Sequence, residues 1–362
     1  MTGSGKSGPE ASERTVDKLI PETAREVLES IDEPLLLLDA ACRIVFASAG
    51  TQSLIRSDAV GKRLSAVLRT PELLESIERI LNGGAAETVR FTMPVPVEQH
   101  FEAYVARTAG QLILVRIRDV SEIRRSEQLR ADFVANASHE LRTPLASLTG
   151  FIDTLRGHAK DDPVARERFL EIMSGEANRM RRLIDDLLSL NRIEMNEHIP
   201  PSGEVDVVML VRDAADVLKP LADSECMQIQ IEDTDSLRAV GDRDELTQVF
   251  QNLIHNAIKY GREGGHVRVR FGRSDHPGSR NEHEQIFVAV EDEGEGIPRE
   301  AVPRLTERFY RVDVKRSRER GGTGLGLAIV KHILNRHRGR LEINSVPGRG
   351  STFTAWLPAA PA

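Results

Sequence analysis

Apolar positions along the chain change their period three times. Between residues 22 and 120 they come in short runs. Residues 34–39 hold four consecutive leucines, Leu35 to Leu38, and residues 43–47 hold Ile44, Val45 and Phe46. Both runs are bounded by turn residues and predict a strand hairpin. A helical spacing follows through Leu64, Val67, Leu68, Leu73, Leu74, Ile77, Ile80 and Leu81, and it stops at Asn82-Gly83-Gly84. Strands are predicted again around residues 89–93, 100–106 and 111–118. From 123 to 196 the period becomes that of long helices. Leu141, Leu145, Leu148, Ile152 and Leu155 are spaced four, three, four and three apart, the seam of a helix that packs in a bundle. A charged break at 157–163 leads to a second helix with Phe169, Met173, Met180, Leu183, Leu187 and Leu190 near a heptad and Glu176 as the exception. Two such helices leave a stripe that one hairpin cannot cover, so a second hairpin completing a four-helix bundle is expected. From 204 to 358 the order is helix, strand, helix, strand, strand, helix, strand, strand, an α/β unit.

Composition narrows the partners. The 362 residues suffice for two or three cores, and a net charge of −7 with a pI near 5.9 argues against a nucleic-acid surface. Cys42 and Cys226 have no disulfide or ligand spacing, which fits a reducing compartment. No apolar run reaches the ~18 residues of a membrane span. The first 20 residues lack the apolar core of a signal peptide; rich in Gly, Ser and charge, they predict disorder. The expected division is a disordered start (1–21), a small strand-and-helix unit (22–122), a helical hairpin (123–200) and a C-terminal α/β unit (201–362).

Candidate chemistry begins in the stretch Phe133-Val134-Ala135-Asn136-Ala137-Ser138-His139-Glu140-Leu141-Arg142-Thr143-Pro144-Leu145. At about 100° per residue, His139 lies roughly 160° from the leucine seam and points out of the core. Thr143 follows one turn on, on the same face. Pro144 is expected to kink the helix and release the carbonyl of Glu140. An unperturbed imidazole is mostly neutral at pH 7 and keeps one lone pair. A carboxylate at its other nitrogen fixes the tautomer and stabilises the charge that develops during attack. A lone His-Glu pair is more often a plain surface feature, but the full string closely resembles the phosphoacceptor box of bacterial sensor histidine kinases. That resemblance implies His139 as nucleophile, Glu140 as general base, and Thr143 as the residue orienting a water against a regulator's phospho-aspartate. The residues alone allow Thr143 a simpler role, its hydroxyl bonded to the carbonyl one turn back.

Four further motifs lie in the last third. Asn252, Asn256 and Lys259 share one helix face, with Phe250, Leu253, Ile254, Ala257 and Ile258 largely on the other. Amide oxygens are hard ligands acceptable to Mg²⁺, and a lysine is a point charge for phosphate; a solvated polar face is the plain alternative. Asp292-Glu293-Gly294-Glu295-Gly296 follows an apolar strand, where a carboxylate can accept from an adenine amino group and glycines let the chain turn. Residues 307–313 precede the charge run 315–320. Gly321-Gly322-Thr323-Gly324-Leu325-Gly326-Leu327 then opens a helix, where free N–H groups cradle phosphate; the spacing is not that of a Walker loop. In this order the four resemble the nucleotide boxes of the histidine-kinase ATPase domain, whose fold is shared with gyrase, the Hsp90 chaperones and the mismatch-repair ATPases. By that resemblance Asn252 and Asn256 would hold Mg²⁺, Lys259 the phosphates of ATP, and Asp292 the adenine. Tyr260 would flank the nucleotide. Gly294 and Gly296 on one side, and Gly322, Thr323, Gly324, Leu325 and Gly326 on the other, would bracket a mobile lid. Glu293 departs from the asparagine many relatives carry.

Residues 22–122 resemble a PAS domain: strand pair, helices, three strands, and the closing Asp119-Val120-Ser121 that feeds a signalling helix. The whole chain then resembles a two-component sensor histidine kinase, most like the phosphate-regulon sensors. The implied protein is a multidomain α+β homodimer. It has a PAS-like sensor, a two-helix dimerisation hairpin and an α/β-sandwich ATPase domain. It would phosphorylate His139 from ATP and Mg²⁺ and pass the group to a response-regulator receiver domain. It would reside in the cytoplasm, free or as the soluble portion of an inner-membrane sensor. An ATP-driven conformational clamp and a non-catalytic scaffold are the alternatives. The His139 box opposes the first, and Asn256, Asp292 and the glycine boxes oppose the second.

Overall fold

The computed structural model describes residues 21–55, 59–93, 98–274, 284–313 and 321–360. The stretch expected to be disordered, residues 1–20, and the charge run 315–320 lie outside the described residues. The chain forms two compact units that divide between Asp132 and Phe133.

The first unit contains α1 (Glu22–Glu29), β1 (Leu35–Leu38), β2 (Ile44–Ala47), α2 (Leu64–Val67), α3 (Pro71–Leu81), β3 (Glu87–Met93), β4 (Gln99–Arg107) and β5 (Ile113–Asp119). The strands form one antiparallel sheet in the order β2-β1-β5-β4-β3. The leucines of β1 run unbroken because both of its faces are covered. Leu36 and Leu38 join a core with Ile44, Leu64, Ile77 and Ile117. Leu35 and Leu37 join another with Val45 and Leu112, packed by Leu28 and Ile31. The single helical stretch expected over 64–81 is two helices. Pro71 opens α3, and Thr70 before it is held extended (φ −115°, ψ 104°), as a residue preceding proline must be.

Strand β5 runs directly into α4 (Ser121–Arg156). The Ser121 hydroxyl accepts the His100 N–H at 2.8 Å, and Asp119 accepts the Ser121 N–H at 2.8 Å. Helix α4 continues through Pro144. One missing rung does not end a helix of 36 residues, about 54 Å long at 1.5 Å per residue.

In the second unit α5 (Pro163–Met195) starts where the break at 157–163 ends. Asp162 caps it by accepting the N–H groups of Val164 and Ala165, both at 3.0 Å. Phe151 stacks on Phe169 near the turn, and further along Arg179 reaches Glu140, so α4 and α5 run antiparallel. Next come β6 (Glu204–Asp206), α6 (Val207–Ser224), β7 (Gln228–Ile231), β8 (Arg238–Val240), α7 (Arg243–Tyr260), β9 (His266–Ser274) and β10 (Gln285–Asp292). The unit closes with α8 (Gly326–Arg336), β11 (Arg340–Val346) and β12 (Gly350–Pro358). The sheet order is β11-β12-β10-β9-β7, antiparallel except that β7 lies parallel to β9. The short pair β6-β8 is additional to the expected order. Val267, Val269, Ile286, Val288 and Val290 of the sheet share a core with Phe250, Leu253 and Ile254 of α7 and Ile329, Val330 and Ile333 of α8. Leu183, Leu190 and Ile193 of α5 belong to that same core, so the second hairpin helix is built into the α/β layer.

Candidate functional site

On α4, His139 is exposed and Glu140 is half-buried. Successive helical residues stand about 100° apart, so the two side chains leave the helix in different directions. The Glu140 carboxylate accepts from Arg179 of α5 at 3.0 Å and from Arg311 at 2.9 Å; these three side chains are 12%, 11% and 5% exposed. The Thr143 hydroxyl donates to the carbonyl of His139 at 3.2 Å, the local bond that its sequence position allows. Before His139 on the helix, Phe133 tilts against Phe309 with ring centroids 6.0 Å apart. Arg308 lies 5.3 Å over the Phe133 ring and pairs with Glu194 at the end of α5.

Helix α7 and the ends of β10 and α8 bring the remaining candidates together. Asp242 caps α7 by accepting the N–H groups of Asp244 and Glu245. Along this helix Asn252 and Asn256 are half-buried and Lys259 is buried, its ammonium 5.2 Å from the Tyr260 ring centroid. Asp292 ends β10, buried, and accepts the N–H of Gly294 at 2.8 Å. Burial pushes its carboxyl above the usual range, while backbone bonds from Gly294 and Ser351 oppose this. Gly294 must lack a side chain, because a Cβ there would collide with the carbonyl of Tyr260 and stand 2.7 Å from Asp292 Oδ1. Gly296 follows in the same turn.

Gly322 and Thr323 lead through Gly324 and Leu325 to Gly326, the first residue of α8. Gly324 has φ +77° and accepts the N–H of Phe309 at 2.8 Å; a Cβ on it would lie 2.9 Å from the Phe309 Cα. Phe309 itself has φ +62°, a costly backbone for a bulky residue. Gly326 stands close to Asn252, whose Oδ1 would be 3.2 Å from a Cβ there. Burial, then Lys259 and Arg182, hold the His255 imidazole down to about 4.

The buried Nδ2 of Asn252 has no hydrogen-bond partner among the described residues, a donor that an acceptor oxygen of water or phosphate satisfies. Among the described residues no group of three His, Cys, Asp or Glu side chains could hold a metal. The amide oxygens of Asn252 and Asn256, one turn apart on α7, are hard ligands of the kind Mg²⁺ accepts beside water and phosphate oxygens.

Arg179 and Asp186 escaped the motif reading, and Arg311, inside the 307–313 motif, had no role in it. Arg311 binds Glu140 across 171 positions and Arg179 across 39, separations that leave no local pattern. One signal was present: Glu176, the charged exception in the α5 heptad, lies 3.7 Å from Arg179.

Comparison with known proteins gives the family. Residues 129–196 match the family described as His Kinase A (phospho-acceptor) domain. Residues 241–361 match Histidine kinase-, DNA gyrase B-, and HSP90-like ATPase. The phosphate regulon sensor protein PhoR of Pseudomonas aeruginosa is 36% identical over 83% of this chain and 65% of its own length. The sensor-like histidine kinase SenX3 of Mycolicibacterium smegmatis is 40% identical over 68% of this chain and 62% of its own. The chain thus spans a little under two thirds of each relative. The solved histidine kinase AdeS of Acinetobacter baumannii aligns at 24% identity and a TM-score of 0.45, over 62% of this chain and 98% of that one. With both domains in this order, the chain belongs to the two-component sensor histidine kinases, of the phosphate-regulon-sensor type.

Proposed function

We propose that this chain is an ATP-dependent protein-histidine kinase. It phosphorylates itself on His139 and hands the phosphoryl group to an aspartate on the receiver domain of a response regulator. The observation that carries the reading is the pairing, in one compact unit, of an exposed histidine on α4 with Asn252, Asn256 and Lys259 of α7, Asp292 at the end of β10 and the glycine-rich entry to α8. In the transfer a His139 nitrogen attacks the γ-phosphorus, the bond to the bridging oxygen breaks, and ADP leaves. Transfer of this kind is mainly positioning and charge stabilisation. Asp292 accepts from the adenine amino group and Tyr260 flanks the base. Lys259 and the backbone of residues 322–326 face the phosphates. Asn256 and Asn252 would hold Mg²⁺, which supplies charge neutralisation on the triphosphate. Glu140 takes the proton from the imidazole, an effect of about 10²–10⁴ in rate.

Three finer features belong to the same reading. Leu145, Ile152, Ile184 and Leu188 of the hairpin are 43–61% exposed, an apolar stripe that suits a homodimeric four-helix bundle. The β2-β1-β5-β4-β3 sheet with α2 and α3 on one face, α1 on the other and a strand feeding α4 supports a PAS-like sensor. Thr143, beside the nucleophile, supports phosphatase action on the regulator, within phosphate-starvation signalling. No helix among the described residues is long and apolar enough to cross a membrane. A kinase works where ATP is, which places both units in the cytoplasm, free or as part of an inner-membrane sensor.

The test is incubation with γ-labelled ATP and Mg²⁺. The wild type should acquire an acid-labile, base-stable phosphate. His139→Ala should bind ATP normally and take no label. Label retained on that variant would refute the assignment.

A further inference from the structure

The box that opens α8 is gripped by the hairpin of its own chain. The Thr323 hydroxyl donates to Oδ2 of Asp186 on α5 at 2.7 Å and accepts the Leu325 N–H at 3.3 Å. The Thr323 carbonyl accepts from Arg311 at 2.8 Å, and the same Arg311 nitrogen holds Glu140 at 2.9 Å. One residue of the box is therefore tied to the hairpin twice, by its side chain to Asp186 and by its backbone, through Arg311, to Glu140.

Asp186 places an anion on the Thr323 hydroxyl, in the glycine-rich backbone that leads three residues on into an 11-residue helix. A phosphate oxygen is stabilised by the same features. The carboxylate is not at ease there. Burial raises its pKa, opposed by the Thr323 bond and by the nearby Arg182 guanidinium, and Asp185 adds like charge. A buried anion held largely by one neutral hydroxyl is readily displaced by a more highly charged one with more acceptor oxygens.

We propose that Asp186 is a resident substitute for a phosphate group. It closes the phosphate end of the nucleotide box while the ATPase half rests on the hairpin, and it competes with the nucleotide's phosphates for Thr323. This rests on the kinase reading above. The competition also reaches the base. Arg311 is 5% exposed and its Nε has no partner among the described residues. Drawing the box away from Asp186 pulls the Thr323 carbonyl off the Arg311 nitrogen that also holds Glu140. Arrival of the substrate thus reaches one of the two arginine contacts of Glu140, the other being Arg179 at 3.0 Å. By linkage, if nucleotide weakens docking on the hairpin, docking weakens nucleotide binding by the same factor.

Calorimetric titrations of the full chain with Mg-ATP and with adenosine test this, for the wild type and for Asp186→Asn. The substitution keeps an acceptor for Thr323 and removes the charge. It should tighten Mg-ATP binding by about tenfold, the size of effect a charge-assisted hydrogen bond carries, and leave adenosine unchanged. Unchanged or weaker Mg-ATP affinity would overturn the proposal, as would equal tightening of adenosine. If Asp186→Asn lowers the melting temperature, Asp186→Ser provides the same comparison. A wild type that binds no Mg-ATP would overturn the kinase reading itself, whereas failure of the variant ratio alone leaves that reading intact.

Discussion

His337, at the end of α8, makes two bonds that only its neutral ring can make together. Its Nε2 accepts the Asp242 N–H at 3.0 Å, and its Nδ1–H donates to the Ile333 carbonyl at 2.8 Å. Burial holds the ring's pKa below the usual histidine value, more than the Ile333 bond and Glu245 raise it. The unfolded chain binds a proton here as pH falls through about 6.5, and the folded chain does not. The contribution to stability is therefore complete above that range and is lost as pH drops below it toward the depressed folded value. His255 and His332 are shifted in the same direction. Urea midpoints between pH 7.5 and 5 should fall, and His337→Leu should flatten that slope. A variant with the wild-type slope would contradict this account. Residues of this kind were not legible in the sequence. The His139 box and the Asn252–Lys259 face could be read because their members lie within a turn or two of each other. His337 meets Asp242 across 95 positions and Arg336 meets Glu245 across 91, so only the fold unites them.

Elements were more legible than residues wherever the hydrophobic period was long. The break at 157–163 appears in the structure as the gap between α4 and α5, and the Leu64–Leu81 spacing was correct except where Pro71 restarts the helix. Strands β6 and β8 were missed because three residues show no alternation to count. The α4 seam carries its own test. Leu141, Leu148 and Leu155 are half-buried within one chain, and Leu145 and Ile152 are exposed. A partner hairpin that buries them gains roughly 1.5–3 kcal/mol per leucine fully covered. Leu148→Asp should therefore move the sedimentation profile toward monomer while the far-ultraviolet spectrum stays helical. A wild type that sediments as a monomer at micromolar concentration would refute the bundle.

Across the whole molecule, motif and packing draw different lines. All the nucleotide boxes lie beyond residue 201, yet Leu183, Leu190 and Ile193 of α5 are buried in the α/β core. Arg336 of α8 also binds the carbonyls of Asn196 and Ile199, at 3.1 and 3.0 Å, and pins the connecting segment. A fragment of residues 201–362 should melt lower and bind more of a hydrophobic dye than one of residues 163–362, because it leaves the face under α5 uncovered. Equal melting of the two fragments would show that α5 is only a neighbour. The shared core also limits how relatives can exchange parts. A chimera joined at 201 brings a foreign sheet layer against a resident helix, and its two halves have never been selected to fit. A chimera joined inside 157–163 keeps that fit and mismatches the hairpin instead. Recombination within such a chain has no neutral crossover point between histidine and nucleotide. The two are inherited as one piece, and new pairings between sensor and kinase arise more easily on the other side of His139, in the single helix that leads to it.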